Sequence, residues 1–143
     1  MLRRLVLLTL PFMLVTGFGF NPAKMVTKLT SNPLISTLMS SLVLNANQAV
    51  GGAGALLGMA QQSLPKADFS KIAAAVPGAG DLIKTAKSLG GISKFGDLAS
   101  MAGAFTKMGL SSDQVAQLTP AMTDFIGKAA GPDVGALFSK AIK

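Results

Sequence analysis

Apolar residues recur at intervals of three and four along most of the chain, which is the spacing that places side chains on one face of an α-helix. The clearest run lies in the C-terminal third, where Val115, Leu118, Met122 and Ile126 follow one another. No segment of five or more residues alternates apolar and polar positions with the β-branched and aromatic side chains typical of strands. The pattern predicts an all-α protein, a single compact bundle of six or seven short helices.

Proline, glycine and small polar residues divide this pattern into segments. The predicted helices are 33–43, a segment that begins at Asn45, 68–76, 81–89, 95–108, a segment that begins at Ser111, and 132–142. Pro120 lies inside the sixth of these, where its missing N–H group is expected to kink or split the helix.

Two of the predicted helices begin with a capping box. Asn45 is followed three residues later by Gln48, and Ser111 is followed by Gln114 in the same way. The similar surroundings of the two boxes suggest a faint internal repeat of two related helical hairpins. The alternative is that any two helix starts look alike, because they share this capping chemistry.

The second predicted helix contains glycines at Gly51, Gly52, Gly54 and Gly58. Each glycine inside a helix costs about 1 kcal/mol relative to alanine, so an isolated helix of this composition would not be stable. Glycines are tolerated where another backbone approaches closely. Gly51, Gly54 and Gly58 are therefore the candidates for a tight helix–helix crossing.

The N-terminus has the three-part pattern of a secretory signal peptide. Arg3 and Arg4 precede an uncharged stretch from Leu5 to Val15, and small residues follow. The predicted signal covers residues 1–19, with cleavage possible between 17 and 23. The alternative is an N-terminal membrane anchor, although the apolar stretch is shorter than the roughly 20 residues that a membrane-spanning helix needs.

This organisation predicts that residues 20–32 are a tail or linker and that residues 33–143 form the all-α domain. It also predicts a location in the periplasm or cell envelope, because a cleaved signal directs export.

The composition removes most catalytic chemistry. The chain has no histidine, cysteine, tryptophan, tyrosine or glutamate, so thiol chemistry, imidazole acid–base catalysis and Cys/His zinc sites are excluded. The six aspartates are at least nine residues apart, and most stand at predicted helix starts, where a carboxylate stabilises the helix dipole. We therefore predict no catalytic residues, no cofactor and no metal site, and we expect that the protein is not an enzyme.

The chain is basic. Cleavage after Gly19 would leave eleven lysines, six aspartates and no arginine, for a formal charge of +5. The lysines are scattered along the sequence, and the arginines and exposed aromatic residues that favour nucleic-acid binding are missing, so nucleic acid is not an expected partner. The positive charge serves either solubility or attraction to an anionic envelope surface. The expected partner is therefore either that surface or an unknown protein.

Residues 29–65 contain no charged side chain. Such a window is unusual for helices whose outer faces meet water. Two interpretations are open: the two helices of this region form the buried centre of the bundle, or they contact a membrane. The scattered Asn, Gln and Ser residues argue against a continuous membrane span.

Three segments of the chain resemble a known bacterial family. They are QAVGGAGALLGMA at Gln48–Ala60, IAAAVPG at Ile72–Gly78 and LSSDQV at Leu110–Val115. Their order is similar to that of the VcgC/VcgE-like proteins of unknown function, and the resemblance covers roughly residues 33–143. It implies a small, exported, all-helical bacterial domain without an established activity.

The sequence therefore predicts an exported, non-enzymatic helical protein that binds a partner or has a structural role through helix packing. The alternative is a membrane-peripheral or membrane-active basic protein that uses the uncharged region 29–65. The oligomeric state is left open by the sequence.

Overall fold

The computed structural model describes residues 22–142, and these residues form an all-α fold without a β-strand. Within this range the chain forms eight helices. They are α1 (Pro22–Leu29), α2 (Pro33–Leu42), α3 (Ala46–Ser63), α4 (Lys66–Ala75), α5 (Ala79–Gly90), α6 (Ala102–Lys107), α7 (Ser112–Ala130) and α8 (Pro132–Ala141). The predicted signal peptide lies outside the described residues.

Helix α3 is the centre of the bundle. Twelve consecutive residues, from Ala49 to Ala60, are buried, so the helix is enclosed on all sides. Opposite faces of α3 meet different neighbours: Gly54 lies against α5, whereas Gly52, about 200° away around the helix axis, lies against Leu118 of α7. An enclosed helix needs no polar face, which explains its uncharged sequence.

The other helices pack in two layers around α3. Helices α1 and α6 pack against α5, and these three elements form what we call the α5 layer. Helices α4, α7 and α8 pack against one another and form the α7 layer, and α2 packs against α3 and α7. The most extensive contacts are those of α3 with α5 and of α7 with α8.

Helix α1 lies in the segment that the sequence analysis treated as a tail or linker. Val26 and Leu29 are buried in the common core, and Lys24 and Lys28 face solvent. The helix ends before Asn32, whose side chain accepts a hydrogen bond from the Leu34 N–H at 3.0 Å and donates one to the Pro77 carbonyl at 2.5 Å. The segment is short enough that its two buried residues gave no clear period, so the prediction missed this helix.

Two other segments differ from the predicted helices. Helix α6 covers only residues 102–107 of the predicted 95–108, because Asp97 accepts a hydrogen bond from the Ser100 N–H at 2.8 Å and holds the preceding residues in turns. Helix α7 continues through Pro120 and is not split. Pro120 faces solvent, so the carbonyl group that loses its hydrogen-bond donor is at the outer surface.

Candidate functional site

Gly54 stands where α3 and α5 cross. A Cβ atom at this position would collide with the carbonyl oxygen of Leu82 and would lie 2.8 Å from the Cβ of Ala86. The backbone of α5 therefore occupies the space that any larger residue would need. Gly54 is the one of the three predicted crossing glycines that meets the backbone of another helix.

At Gly51 and Gly58 the space beside the glycine is filled by a side chain and not by the backbone of another helix. Met108 packs on Gly51, where a Cβ would lie 2.8 Å from its sulfur, and the ring of Phe95 fills the space over Gly58. These contacts anchor both ends of the segment that joins α5 to α7. The close helix–helix crossing is therefore at Gly54 alone. Gly51 and Gly58, on either side of it, leave space for the side chains of Met108 and Phe95 from the segment between α5 and α7.

A second close approach, between α7 and α8, was not predicted. A Cβ on Gly135 would lie 2.9 Å from the Thr123 carbonyl oxygen and 3.1 Å from the Cα of Gly127. The sequence signal for it was present, because Gly127 and Gly135 stand four residues on either side of the turn at Gly131.

Both capping boxes are formed, and the structure brings them together. The Asn45 side chain accepts from the Gln48 N–H at 2.9 Å, and the Ser111 hydroxyl accepts from the Gln114 N–H at 3.2 Å. The Gln48 side chain also donates to the carbonyl of Gly109 at 2.6 Å, two residues before Ser111. The Gln48–Gly109 bond therefore links the start of α3 to the turn before α7.

The aspartates have structural partners. Asp68, Asp81, Asp113 and Asp133 stand in the first turns of four helices, where their charge stabilises the helix dipole. Asp124 pairs with Lys128 at 3.2 Å. Among residues 22–142 no group of three potential metal-ligating side chains is brought together.

An open groove lies between the segment before α7 and the first turns of that helix. Its volume is about 460 Å³, and its walls are mainly apolar side chains. The lining residues are Leu98, Ala99, Ala102, Phe105, Thr106, Leu110, Ser111, Ser112, Val115 and Ala116. The Thr106 hydroxyl donates to the Ala102 carbonyl and the Ser111 hydroxyl caps α7, so two of the hydroxyls that line the groove are already engaged with the backbone.

The α5 layer carries a surface that we call the lysine face. It consists of six exposed lysines on α1, α5, α6 and the loop after α5: Lys24, Lys28, Lys84, Lys87, Lys94 and Lys107. Along the chain the lysines are scattered. The fold places six of them in the α5 layer, because α1 and α6 both pack against α5 and Lys94 lies in the segment between α5 and α6.

Charge is divided unequally between the two layers. Residues 22–29 and 79–107 contain six lysines and two aspartates, a formal charge of +4. Helices α4, α7 and α8 contain four lysines and four aspartates, a formal charge of zero. Helices α2 and α3 contain neither, so the net charge of residues 22–142 resides in the α5 layer.

Three of these lysines surround the loop from Gly91 to Phe95. The Lys87 ammonium lies 5.7 Å from the centre of the Phe95 ring, within the range of a cation–π interaction. A Cβ on Gly91 would lie 3.0 Å from the Lys107 ammonium, and Lys94 belongs to the loop itself. The ion pairs Lys71–Asp68 and Lys128–Asp124 both lie in the α7 layer.

Asp97 is the aspartate nearest to this loop in the sequence, and it faces elsewhere. It lines a shallow depression with Gln62, Ser63 and Ala141, at the ends of α3 and α8. The Ser100 backbone N–H and hydroxyl stabilise its carboxylate and lower the pKa of Asp97 below its ordinary value. The carboxylate is therefore committed to the turn before α6.

Comparison with known proteins identifies the family. The family described as "Protein of unknown function VcgC/VcgE (DUF2780)" matches residues 19–143. The chain belongs to the VcgC/VcgE family. No curated protein and no solved structure matched the chain.

Membership of the VcgC/VcgE family confirms the resemblance read from the three segments of the sequence. The segment Gln48–Ala60 of that resemblance is the enclosed part of α3, and Leu110–Val115 contains the second capping box. The residues that carry the family resemblance thus build the core and the helix starts, and the third segment also supplies part of the groove wall. The lysine face lies outside all three segments.

Proposed function

We propose that the chain is an exported, non-enzymatic helical module of the periplasm or cell envelope that binds a partner through its outer surface. The observation that carries this proposal is the burial of the uncharged region 29–65 in the core. Helix α3 is enclosed by other helices, and Leu34, Ile35 and Leu38 of α2 are buried. What remains for contact with other molecules is a folded surface that carries polar groups, lysines and the apolar groove.

The same observation weighs against the alternative in which region 29–65 enters a membrane. Insertion of these helices would require the core to open, and the two faces of α3 would lose their contacts with α5 and α7. No helix within the described range is both long and apolar enough to span a bilayer. The exposed side chains of α2 are serines, threonine and proline, together with Val43 in the turn that follows.

Export is supported by the sequence and by the extent of the family match. The signal pattern ends near Gly19, and the match begins at residue 19, so cleavage after Gly19 would separate the two. The positions of the aspartates support a non-enzymatic role, because four of them stand in the first turns of helices, Asp124 pairs with Lys128, and Asp97 accepts a hydrogen bond within a turn.

Fractionation of cells that express the full chain tests this proposal. We expect the protein in the periplasmic or envelope fraction, with the intact mass of residues 20–143. A matched variant, Leu7→Asp with Leu8→Asp, interrupts the apolar stretch and should leave an unprocessed chain in the cytosol. Unprocessed wild-type chain in the cytosol would overturn the proposal, and unprocessed chain in the membrane fraction would instead support the N-terminal anchor.

A further inference from the structure

The lysine face is broad, exposed and spread over several elements. Its members come from two helices that run side by side, a short third helix and the loop between the last two. Lys28, Lys87 and Lys107 stand in the last turns of α1, α5 and α6, where the partial negative charge of the helix end stabilises them locally. That local role accounts for these three lysines one by one. It does not account for the difference in net charge between the two layers, since the α7 layer has as many aspartates as lysines.

The chemistry of this face fits an extended anionic array. Lysine is a compact, rotatable point charge, whereas bidentate recognition of a single phosphate or carboxylate favours arginine, which is missing from residues 20–143. The apolar groove, the depression beside Asp97 and the pocket beside Lys128 have none of these six lysines in their walls. Exposed point charges spread over several elements suit a plane of phosphates better than one enclosed anion.

We infer that the lysine face docks the protein onto the surface of a bilayer that contains anionic phospholipids, with the ammonium groups of Lys87, Lys94 and Lys107 around the loop Gly91–Phe95 making the main contacts. This inference rests on the proposed function, since export brings the chain to an envelope membrane. The bundle stays folded in this docked state, and the neutral α7 layer faces away from the membrane. Region 29–65 takes no part in it.

The number of lysines removed sets the expected loss of vesicle affinity. A basic residue near an anionic bilayer strengthens binding about fivefold, so removal of three central charges should weaken binding about a hundredfold. Because the interaction lies at an exposed surface, it should also fall steeply as added salt shortens the screening length.

Vesicle co-sedimentation at low and high salt tests the inference. The vesicles contain phosphatidylglycerol mixed with phosphatidylcholine, or phosphatidylcholine alone. The test variant combines Lys87→Gln, Lys94→Gln and Lys107→Gln. The matched control combines Lys66→Gln, Lys128→Gln and Lys140→Gln, which removes the same charge from exposed positions of the α7 layer.

We expect the wild type to bind the anionic vesicles at low salt and to dissociate at high salt. The test variant should lose about a hundredfold in binding, and the control should bind as the wild type does within a fewfold. Circular dichroism and thermal melting of all three chains establish that each is folded.

Three results would overturn the inference: equal binding to neutral vesicles, equal losses in the two variants, or no binding by the folded wild type. Binding to soluble polyphosphate is the further control. If polyphosphate binds the wild type as tightly as the vesicles do, and if its affinity falls equally in the test variant, the inference is overturned in favour of an anionic polymer as the ligand. The comparison does not depend on processing, since the N-terminal segment is the same in all three chains. A failure here is therefore distinct from a failure of export.

Discussion

Val43 is the residue whose backbone is least suited to its side chain. It ends α2 with φ 54° and ψ 53°, and it is the one non-glycine residue at positive φ within residues 22–142. The left-handed conformation costs an L-residue roughly 1–2 kcal/mol, and a β-branched side chain adopts it rarely. Val43 is also 85% exposed, so no buried contact offsets that cost.

Val43→Gly should therefore stabilise the protein, by about 0.5–1 kcal/mol after the greater flexibility of glycine in the unfolded chain is counted. Urea denaturation of the two chains measures the difference. Val43→Ala is the control: it keeps a Cβ at the same backbone geometry and should recover much less. If Val43→Gly were less stable than the wild type, the conformation assigned to this turn would be wrong.

Gly54 is the residue whose lack of a side chain the fold needs most. Its neighbour is the carbonyl oxygen of Leu82, a backbone atom that cannot move without displacing α5. We expect Gly54→Ala to destabilise the protein by at least about 1–3 kcal/mol, as overpacking does, even though alanine is the better helix former.

Gly80→Ala is the matched control for that prediction. Gly80 lies in the first turn of α5, is exposed, and has no atom within 4 Å of the position that a Cβ would take. The same substitution there should leave stability unchanged or raise it slightly. Thermal melting of both variants decides the matter, and equal effects at the two positions would show that Gly54 is not a close crossing.

At the scale of elements, the two capping boxes differ in one respect. Both join a helix start to its own third residue, but only the Gln48 side chain continues to another element, through its hydrogen bond to Gly109. The start of α3 is thereby tied to the turn before α7. The link also fixes the segment that walls the apolar groove.

Gln48→Ala should cost more stability than Gln114→Ala. Each substitution removes the bond that the side chain makes to its own cap residue, and the first also removes the bond to Gly109, worth about 0.5–1.5 kcal/mol net. Chemical denaturation of the two variants measures the difference between them. Equal losses would mean that the Gln48–Gly109 bond contributes nothing to the fold.

At the scale of the whole molecule, apolar side chains and charge are sorted in opposite ways. The uncharged helix α3 occupies the centre, where it packs against both layers, and the net positive charge lies on the outside of one layer alone. A chain that needed lysines only for solubility could spread them evenly. The one-sided distribution is what the vesicle experiment examines, with the α7 layer as its internal reference.

The all-α class, the breaks between most of the helices and both capping boxes followed from the sequence alone, because these features depend on residues close together in the chain. Asn45 with Gln48, and Ser111 with Gln114, make their bonds within one helical turn, so the pattern that predicts them contains all the partners involved. Family membership was readable for the same reason, since the segments that carry it are local.

Tertiary structure alone decided which glycine meets a backbone, that residues 22–29 join the core, and that six scattered lysines share one face. Each of these depends on contacts between residues far apart in the chain: Gly54 with Leu82, Asn32 with Pro77, and Lys107 with the loop at Gly91. Periodicity identifies the buried side of a helix but not the helix that will cover it. The layer to which α1, α5 and α6 belong, and with it the position of the charge, is set by that choice of partner.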